Sequence, residues 1–232
     1  MEQSQKIQQE IARFYAENSV DNVLKYSNLL QTMSKADVAL LYEKEELFFL
    51  KYPQYDNLRD TRKNYYKIDR LQGLQKSIQL DLMEMGINQS DEMRKLLQSI
   101  VSSNLGGINT DLINYVDDFR WLNGVNFSDR IWGNMNRLKS KLNEHLNDAL
   151  LRGDSIDKII KDVKINLGAS YSDASRLVIT ESSAVHNTAT LDRYKAMGVT
   201  QVEFSAAMDE RTSEKCTSAD GDIIEIDDVK IG

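Results

Sequence analysis

The sequence predicts a mainly α-helical protein of the α+β kind. An elongated helical N-terminal half, residues 1–107, leads into a helical C-terminal module, residues 108–232, that ends in a small β-hairpin. Three observations predict this. Helix breakers are scarce, with one proline and eleven glycines among 232 residues, so long helices are permitted almost everywhere. Apolar residues recur at three- and four-residue spacing along most of the chain. Beyond Gly198 the period changes to two.

In the first half, Ile7, Ile11, Phe14 and Tyr15 form an amphipathic stripe, and Val20, Val23, Leu24, Leu29 and Leu30 are expected to continue it. Ser34 is the expected N-cap of a helix through Leu50, with Asp37 three residues on. Pro53 stops that helix or turns the chain. A helix from Ile68 to Met85 is expected to stop near Gly86, and another covers Glu92 to Asn104. Gly106-Gly107 reads as a turn. The pattern up to Gly124 is weak, with Phe119 and Trp121 expected to pack against something that periodicity does not identify.

The second half is clearer. Ser128 is the expected cap of a helix carrying Ile131, Trp132, Met135, Leu138, Leu142, Leu146, Ala149 and Leu150. Continuous to Leu151, it would be about 36 Å long at ~1.5 Å per residue. Gly153 ends it. Asp154 or Ser155 caps a short helix with Ile156, Ile159, Ile160 and Val163 that Gly168 is expected to close. A third helix starts near Ser170, runs through Leu177, Ala184, Val185 and Leu191, and stops at Gly198, with Val199 closing over its last turn. Val202, Phe204 and Ala206 then alternate with polar residues as a half-buried strand. Asp209 to Thr212 is a polar turn, and Asp220-Gly221 turns the chain into Ile223, Ile224 and Ile226. A short loop or helical turn carrying Cys216 lies between the two strands.

Composition narrows the chemistry. A hydrophobic content of 41% supports a sizeable core, and 29 basic against 36 acidic residues give a formal charge of -7, a poor general match to phosphate backbones. The run of Arg59, Arg62, Lys63, Lys67, Arg70 and Lys76, with Tyr65 and Tyr66 inside it, is a candidate nucleic-acid contact. A solvated helix face is the alternative that the acidic chain favours. No glycine-rich phosphate loop occurs. His145, His186 and the single cysteine, Cys216, lack metal-ligand spacing. The acidic residues Asp220, Asp222, Glu225, Asp227 and Asp228 lack the order of a calcium loop. No cofactor is expected. A Cys216–His186 pair, oriented by Glu181 or Asp209, would be the one route to nucleophilic catalysis. A packing role for the lone cysteine is the competing reading, and the expectation is a protein that is not an enzyme. The N-terminus lacks the basic start and apolar run of a signal peptide, and no stretch reaches the roughly 20 apolar residues of a membrane span.

Glu181 stands out because its helical neighbours are apolar or small. A carboxylate there needs exposure or a partner. Arg211, in the turn after the strand, is the partner the sequence suggests, through a forked double hydrogen bond. Asn187 is expected to tie down a backbone group of the same turn.

Thr180-Glu181, Asn187 six residues after the Glu, Tyr194, Gly198-Val199, the Asp209-x-Arg211-Thr212 turn, Cys216 and Asp220-Gly221 form an ordered series. In order and spacing it resembles the Mu F-like phage head morphogenesis family, the minor head proteins, from about Asn126 to Ile226. Two departures are visible. Ile179 precedes Thr180 where the family often has arginine, with Arg176 one turn earlier. Family members also often continue past the Asp-Gly into a segment rich in His, Pro and Cys, whereas the sequence ends at Gly232. The resemblance implies a virion component of few copies, located in the head interior near the portal and in host cytoplasm during assembly. Its implied partners are the portal protein and capsid or scaffold subunits, with a role in DNA entry or exit and no membrane. A helical interaction or regulatory module of a mobile element is the alternative reading.

If Arg211 holds the terminal strands through Glu181, Arg211→Met should lower the melting temperature, and a variant melting like the parent would refute that pairing.

Overall fold

The computed structural model describes residues 2–20, 23–24, 26–106, 111–210 and 212–231. Helix α1 (Glu2–Asn18) is followed by the two-residue strands β1 (Ser19–Val20) and β2 (Val23–Leu24), the short α2 (Tyr26–Leu29) and α3 (Lys35–Lys51). A 3-10 segment, Pro53–Leu58, leads to α4 (Arg62–Tyr65) and the long α5 (Arg70–Leu105). Then come α6 (Leu112–Asp118), α7 (Phe127–Arg152) and α8 (Ile156–Ala196). The chain closes with β3 (Gln201–Glu203), α9 (Glu214–Ala219), β4 (Ile223–Glu225) and a 3-10 turn, Ile226–Asp228. The expected mainly helical fold with a terminal two-stranded antiparallel sheet is the one observed.

The chain forms two compact units that are discontinuous in sequence and cut across the expected 1–107 and 108–232 segments: residues 1–90 with 131–175, and residues 91–130 with 176–232. Helices α5, α7 and α8 each supply residues to both.

The first unit is built on apolar stripes. Ile7, Ile11 and Tyr15 of α1 are buried with Leu71, Leu74, Ile78 and Leu82 of α5, Leu138, Leu142, Leu146 and Ala149 of α7, and Ile159, Val163 and Leu167 of α8. Each leucine, isoleucine or valine among them contributes roughly 1.5–3 kcal/mol on leaving water. A second cluster joins Val38, Leu41, Phe48 and Phe49 of α3 to Tyr65, Leu80 and Ile87. The Ser34 cap is present as expected: its Oγ accepts from the Asp37 amide at 3.1 Å, and Asp37 accepts in return from the Ser34 amide. Asp69 and Gln72 make the same reciprocal arrangement at the start of α5. A partly buried polar cluster lies between these helices. Lys44 Nζ donates to Glu10 at 2.5 Å, to Asp81 at 2.9 Å and to Ser77 Oγ at 2.8 Å. Burial pushes the Asp81 carboxyl up, against the pull of the Lys44 ammonium.

Four local expectations are corrected. The α1 stripe does not continue to Leu30; the helix ends at Asn18, whose side-chain amide donates to the Phe14 carbonyl and accepts from Arg70. Helix α7 starts at Phe127, and Asn126 rather than Ser128 caps it, accepting from the Asp129 amide at 2.8 Å. Gly86 does not end a helix, because α5 runs through it. A Cβ there would lie 3.0 Å from Trp132 and 3.1 Å from Met135, so the glycine serves the close approach of α7. Gly168 does not end a helix either; α8 passes through it, with open space where a Cβ would sit. Glycine lowers helix propensity but does not forbid a helix that tertiary packing supports. The expected stops at Gly153 and Gly198 are present, with φ of 67° and 81°, in the left-handed region that glycine adopts without strain.

In the second unit the buried apolar residues include Leu97, Val101 and Leu105 of α5, Val116 of α6, Phe127, and Leu177, Val185 and Ala189 of α8. Asp111 caps α6, accepting from the Ile113 and Asn114 amides. Tyr115 of α6 donates to Asp192 at 2.5 Å; burial and that carboxylate hold its phenol well above the usual range.

The two mid-helix glycines should respond in opposite ways. Gly86→Val should destabilise by about 1–3 kcal/mol through overpacking, whereas Gly168→Ala should stabilise by about 1 kcal/mol through helix propensity. Urea titration of the two variants checks both signs.

Candidate functional site

The motif series places Glu181 near the middle of α8, with 0% of its surface exposed. Its partners come from the stretch whose sequence pattern was weak. Trp121 Nε1 donates to both Glu181 oxygens at 2.9 Å. Arg130, in the first turn of α7, sends Nε to within 3.4 Å of Oε1 and lays its guanidinium over the Trp121 ring, 4.5 Å from the centroid. The Phe119 ring packs edge-on against Trp121, with ring centroids 6.3 Å apart. One carboxylate, one indole and one guanidinium therefore contact one another pairwise.

Local sequence explains how Trp121 gets there. The Trp121 amide donates to the Val125 carbonyl at 3.0 Å and the Gly124 amide to the Trp121 carbonyl at 2.7 Å. Gly124 has φ of 80°. This is a three-residue hairpin loop with glycine at the left-handed position. It reverses the chain between α6 and α7 and projects the indole onto α8. Desolvation raises the Glu181 carboxyl above its ordinary range, while the Trp121 hydrogen bond and the Arg130 charge pull it back down. Because Arg130 and Trp121 both favour the ionised form, the group is a paired buried charge rather than an orphan.

The other motif residues divide into helix and hairpin. Thr180 Oγ1 donates to the Arg176 carbonyl at 2.9 Å, and Asn187 is exposed on α8. The Val199 amide donates to the Tyr194 carbonyl at 3.0 Å and closes the helix, as expected, after Gly198. The Asp209 amide donates to Thr212 Oγ1 at 2.8 Å, and Thr212 Oγ1 donates to the Ala207 carbonyl at 2.8 Å, which builds the polar turn. Asp220 Oδ1 accepts from the Ala206 amide at 2.8 Å, and Gly221, with φ of 86°, starts the return into β4. There Gln201 pairs with Glu225, Val202 with Ile224 and Glu203 with Ile223. Cys216 lies half-buried on α9, its amide donating to the Ser213 cap. Arg211, the partner suggested for Glu181, lies outside the described residues; the described partners are Trp121 and Arg130. Gly107 also lies outside them.

Much of the basic run folds back on the protein. Arg59 pairs with Glu46 at 2.5 Å and Asp56 at 2.9 Å, and Lys76 pairs with Asp60. Arg62 covers the Tyr42 ring, and Arg70 donates to Asn18. Tyr65 is 1% exposed, with its phenol pushed up by burial and the Glu45 carboxylate, so its ring is not available for stacking. Tyr66, Lys63 and Lys67 are exposed. Among the described residues, no three metal-binding side chains gather in one place, and no helix is long and apolar enough to cross a membrane.

The second unit is thus a helical module in which a buried carboxylate on the longest helix is held by an aromatic loop, closed by a two-stranded hairpin. Residues 140–232 match the family described as Phage Mu protein F like protein. The resemblance carried by Thr180 through Gly221 holds, and this stretch is Mu F-like. The matched segment takes in the later part of α7 and everything after it. No curated protein and no solved structure matches the chain.

Trp121→Phe removes both indole hydrogen bonds from a buried carboxylate and should cost about 1.5–3 kcal/mol in a urea titration. The pH dependence follows from the raised Glu181 carboxyl. Its contribution to stability is fully present below the unfolded value of about 4.3 and is lost as pH rises through the folded value. Glu181→Gln should flatten that decline in melting temperature, and a variant with the parent's slope would show that Glu181 is not its source.

Proposed function

We propose that the chain is a minor structural protein of a tailed bacteriophage head. In this reading it binds portal and capsid or scaffold subunits as the procapsid assembles, stays in the head interior near the portal, and assists DNA packaging or ejection. Its role is non-catalytic. The observation that carries the proposal is the Mu F-like match over residues 140–232, which contains the whole motif series from Thr180 to Gly221.

The physical organisation supports this reading. The motif residues build turns, caps and a helix-to-loop lock, and those are the parts of a scaffold. Exposed large apolar side chains remain on α3 at Leu40, Leu47 and Leu50, and on α8 at Ile165, Tyr171 and Ile179. The three α3 side chains, seven and three residues apart, share one helix face and suit docking into a partner groove. Contact with DNA, in this reading, would draw on Tyr66, Lys63 and Lys67 rather than on the whole basic run.

The test is co-expression with a portal protein of the same phage, followed by affinity purification and calorimetry. Binding at micromolar concentration or tighter, weakened by Leu40→Glu with Leu47→Glu or by Ile179→Glu, is the expected result. A folded chain that binds neither portal nor procapsid at that concentration would refute it.

A further inference from the structure

We propose that Asn123–Gly124 is a self-modification site, at which Asn123 deamidates through a cyclic imide, and that the contact of Trp121 with Glu181 governs its rate. This is the one Asn-Gly pair in the chain. The succession matters because glycine has no Cβ to shield its backbone nitrogen from the preceding side chain. A Cβ built on Gly124 would meet nothing within 4 Å, and Asn123 is exposed, so water and base reach the pair. Asn123 Oδ1 accepts from the Val125 amide at 3.3 Å. That bond polarises the side-chain carbonyl carbon and folds the side chain back along its own loop.

The step balances without an oxidant or reductant. The Gly124 nitrogen attacks Asn123 Cγ, a C–N bond forms, the Cγ–Nδ2 bond breaks, and ammonia leaves with the proton given up by the Gly124 amide. Water then opens the five-membered imide at either carbonyl. One opening leaves aspartate at 123. The other leaves isoaspartate, in which the main chain runs through the side-chain carbon and gains a methylene.

The structure also supplies a restraint. The Gly124 N–H that must be released donates to the Trp121 carbonyl at 2.7 Å. Trp121 is in turn anchored by two indole hydrogen bonds to Glu181 and by the Arg130 guanidinium over its ring. While that anchor holds, the nitrogen is occupied; when it lets go, the loop opens and the imide can form. The reverse coupling follows. An extra main-chain atom lengthens a loop closed over three residues, so isoaspartate draws Trp121 away from Glu181.

The full-length chain is incubated in warm, mildly alkaline buffer, and peptide mass spectrometry with enzymatic isoaspartate labelling follows residue 123. The parent, Trp121→Phe, Glu181→Gln and Asn123→Ser are compared, with the parent in denaturant as the unanchored limit. The expected result is slow conversion in the parent and several-fold faster conversion in the two anchor variants. Both variants should keep helical circular dichroism and remain slower than the denatured chain. Trp121 emission, read in a Trp132→Phe background, should shift red in the aged parent and stay unchanged in Asn123→Ser. Equal rates in the parent and in folded Glu181→Gln would overturn the proposed control. Absence of conversion at 123 in folded anchor variants, under conditions where the denatured chain converts, would overturn the site itself.

Discussion

A carboxylate with no exposed surface in the middle of a long helix is the constraint around which the second unit is arranged. Glu181 cannot remain charged among apolar neighbours without donors, because an unpaired buried charge costs far more than a helix of this length can offset. The donors come from outside its helix: the Trp121 indole, aimed by a glycine-closed loop, and Arg130, held in the first turn of α7. The stacking of Arg130 on Trp121 joins the two donors to each other, so displacement of one weakens the other. Loop geometry, helix start and buried charge are consequently one cooperative element. Of its parts only Glu181 lies within the Mu F-like stretch, residues 140–232, and the contact gives the Thr-Glu pair a structural meaning: the Glu makes the helix a docking rail for the loop before α7.

The hairpin beyond α8 follows a different logic. Its residues are mostly exposed, and its order comes from backbone bonds and short-range side-chain bonds rather than from a core. Thr212 and Asp209 satisfy one another, Asp220 accepts from Ala206, and positive-φ glycines at 198 and 221 set the corners. Polar turns of this kind specify a path without needing much apolar area. A surface presented by such a segment is shaped by hydrogen bonds rather than by apolar packing.

The first unit shows how burial redirects residues that composition would assign elsewhere. The basic run offers a candidate nucleic-acid contact in the sequence, with a solvated helix face the favoured alternative; in the fold Arg59, Lys76 and Arg70 are taken up by Glu46, Asp60 and Asn18, and Tyr65 is inside the core. Charge counting along a chain cannot see these partners, since they lie 13 to 52 residues away. Lys44 shows the same effect, gathering Glu10, Ser77 and Asp81 around one ammonium.

The sequence by itself determined the helical class, the Ser34 cap, the glycine stops at 153 and 198, the terminal hairpin and the Mu F-like series. Each of these is a local matter: periodicity, cap chemistry and left-handed glycine depend on residues a few positions apart. It misplaced the ends at Gly86 and Gly168 because glycine is a weak breaker whose effect tertiary packing overrides. At Gly86 that packing is the side of Trp132, 46 residues later. Only the tertiary structure decided which side chains satisfy Glu181, because Trp121 sits 60 residues away in a stretch with no period. The sequence required that a partner exist; the fold selected an indole and a guanidinium by bringing that loop and the start of α7 against the helix.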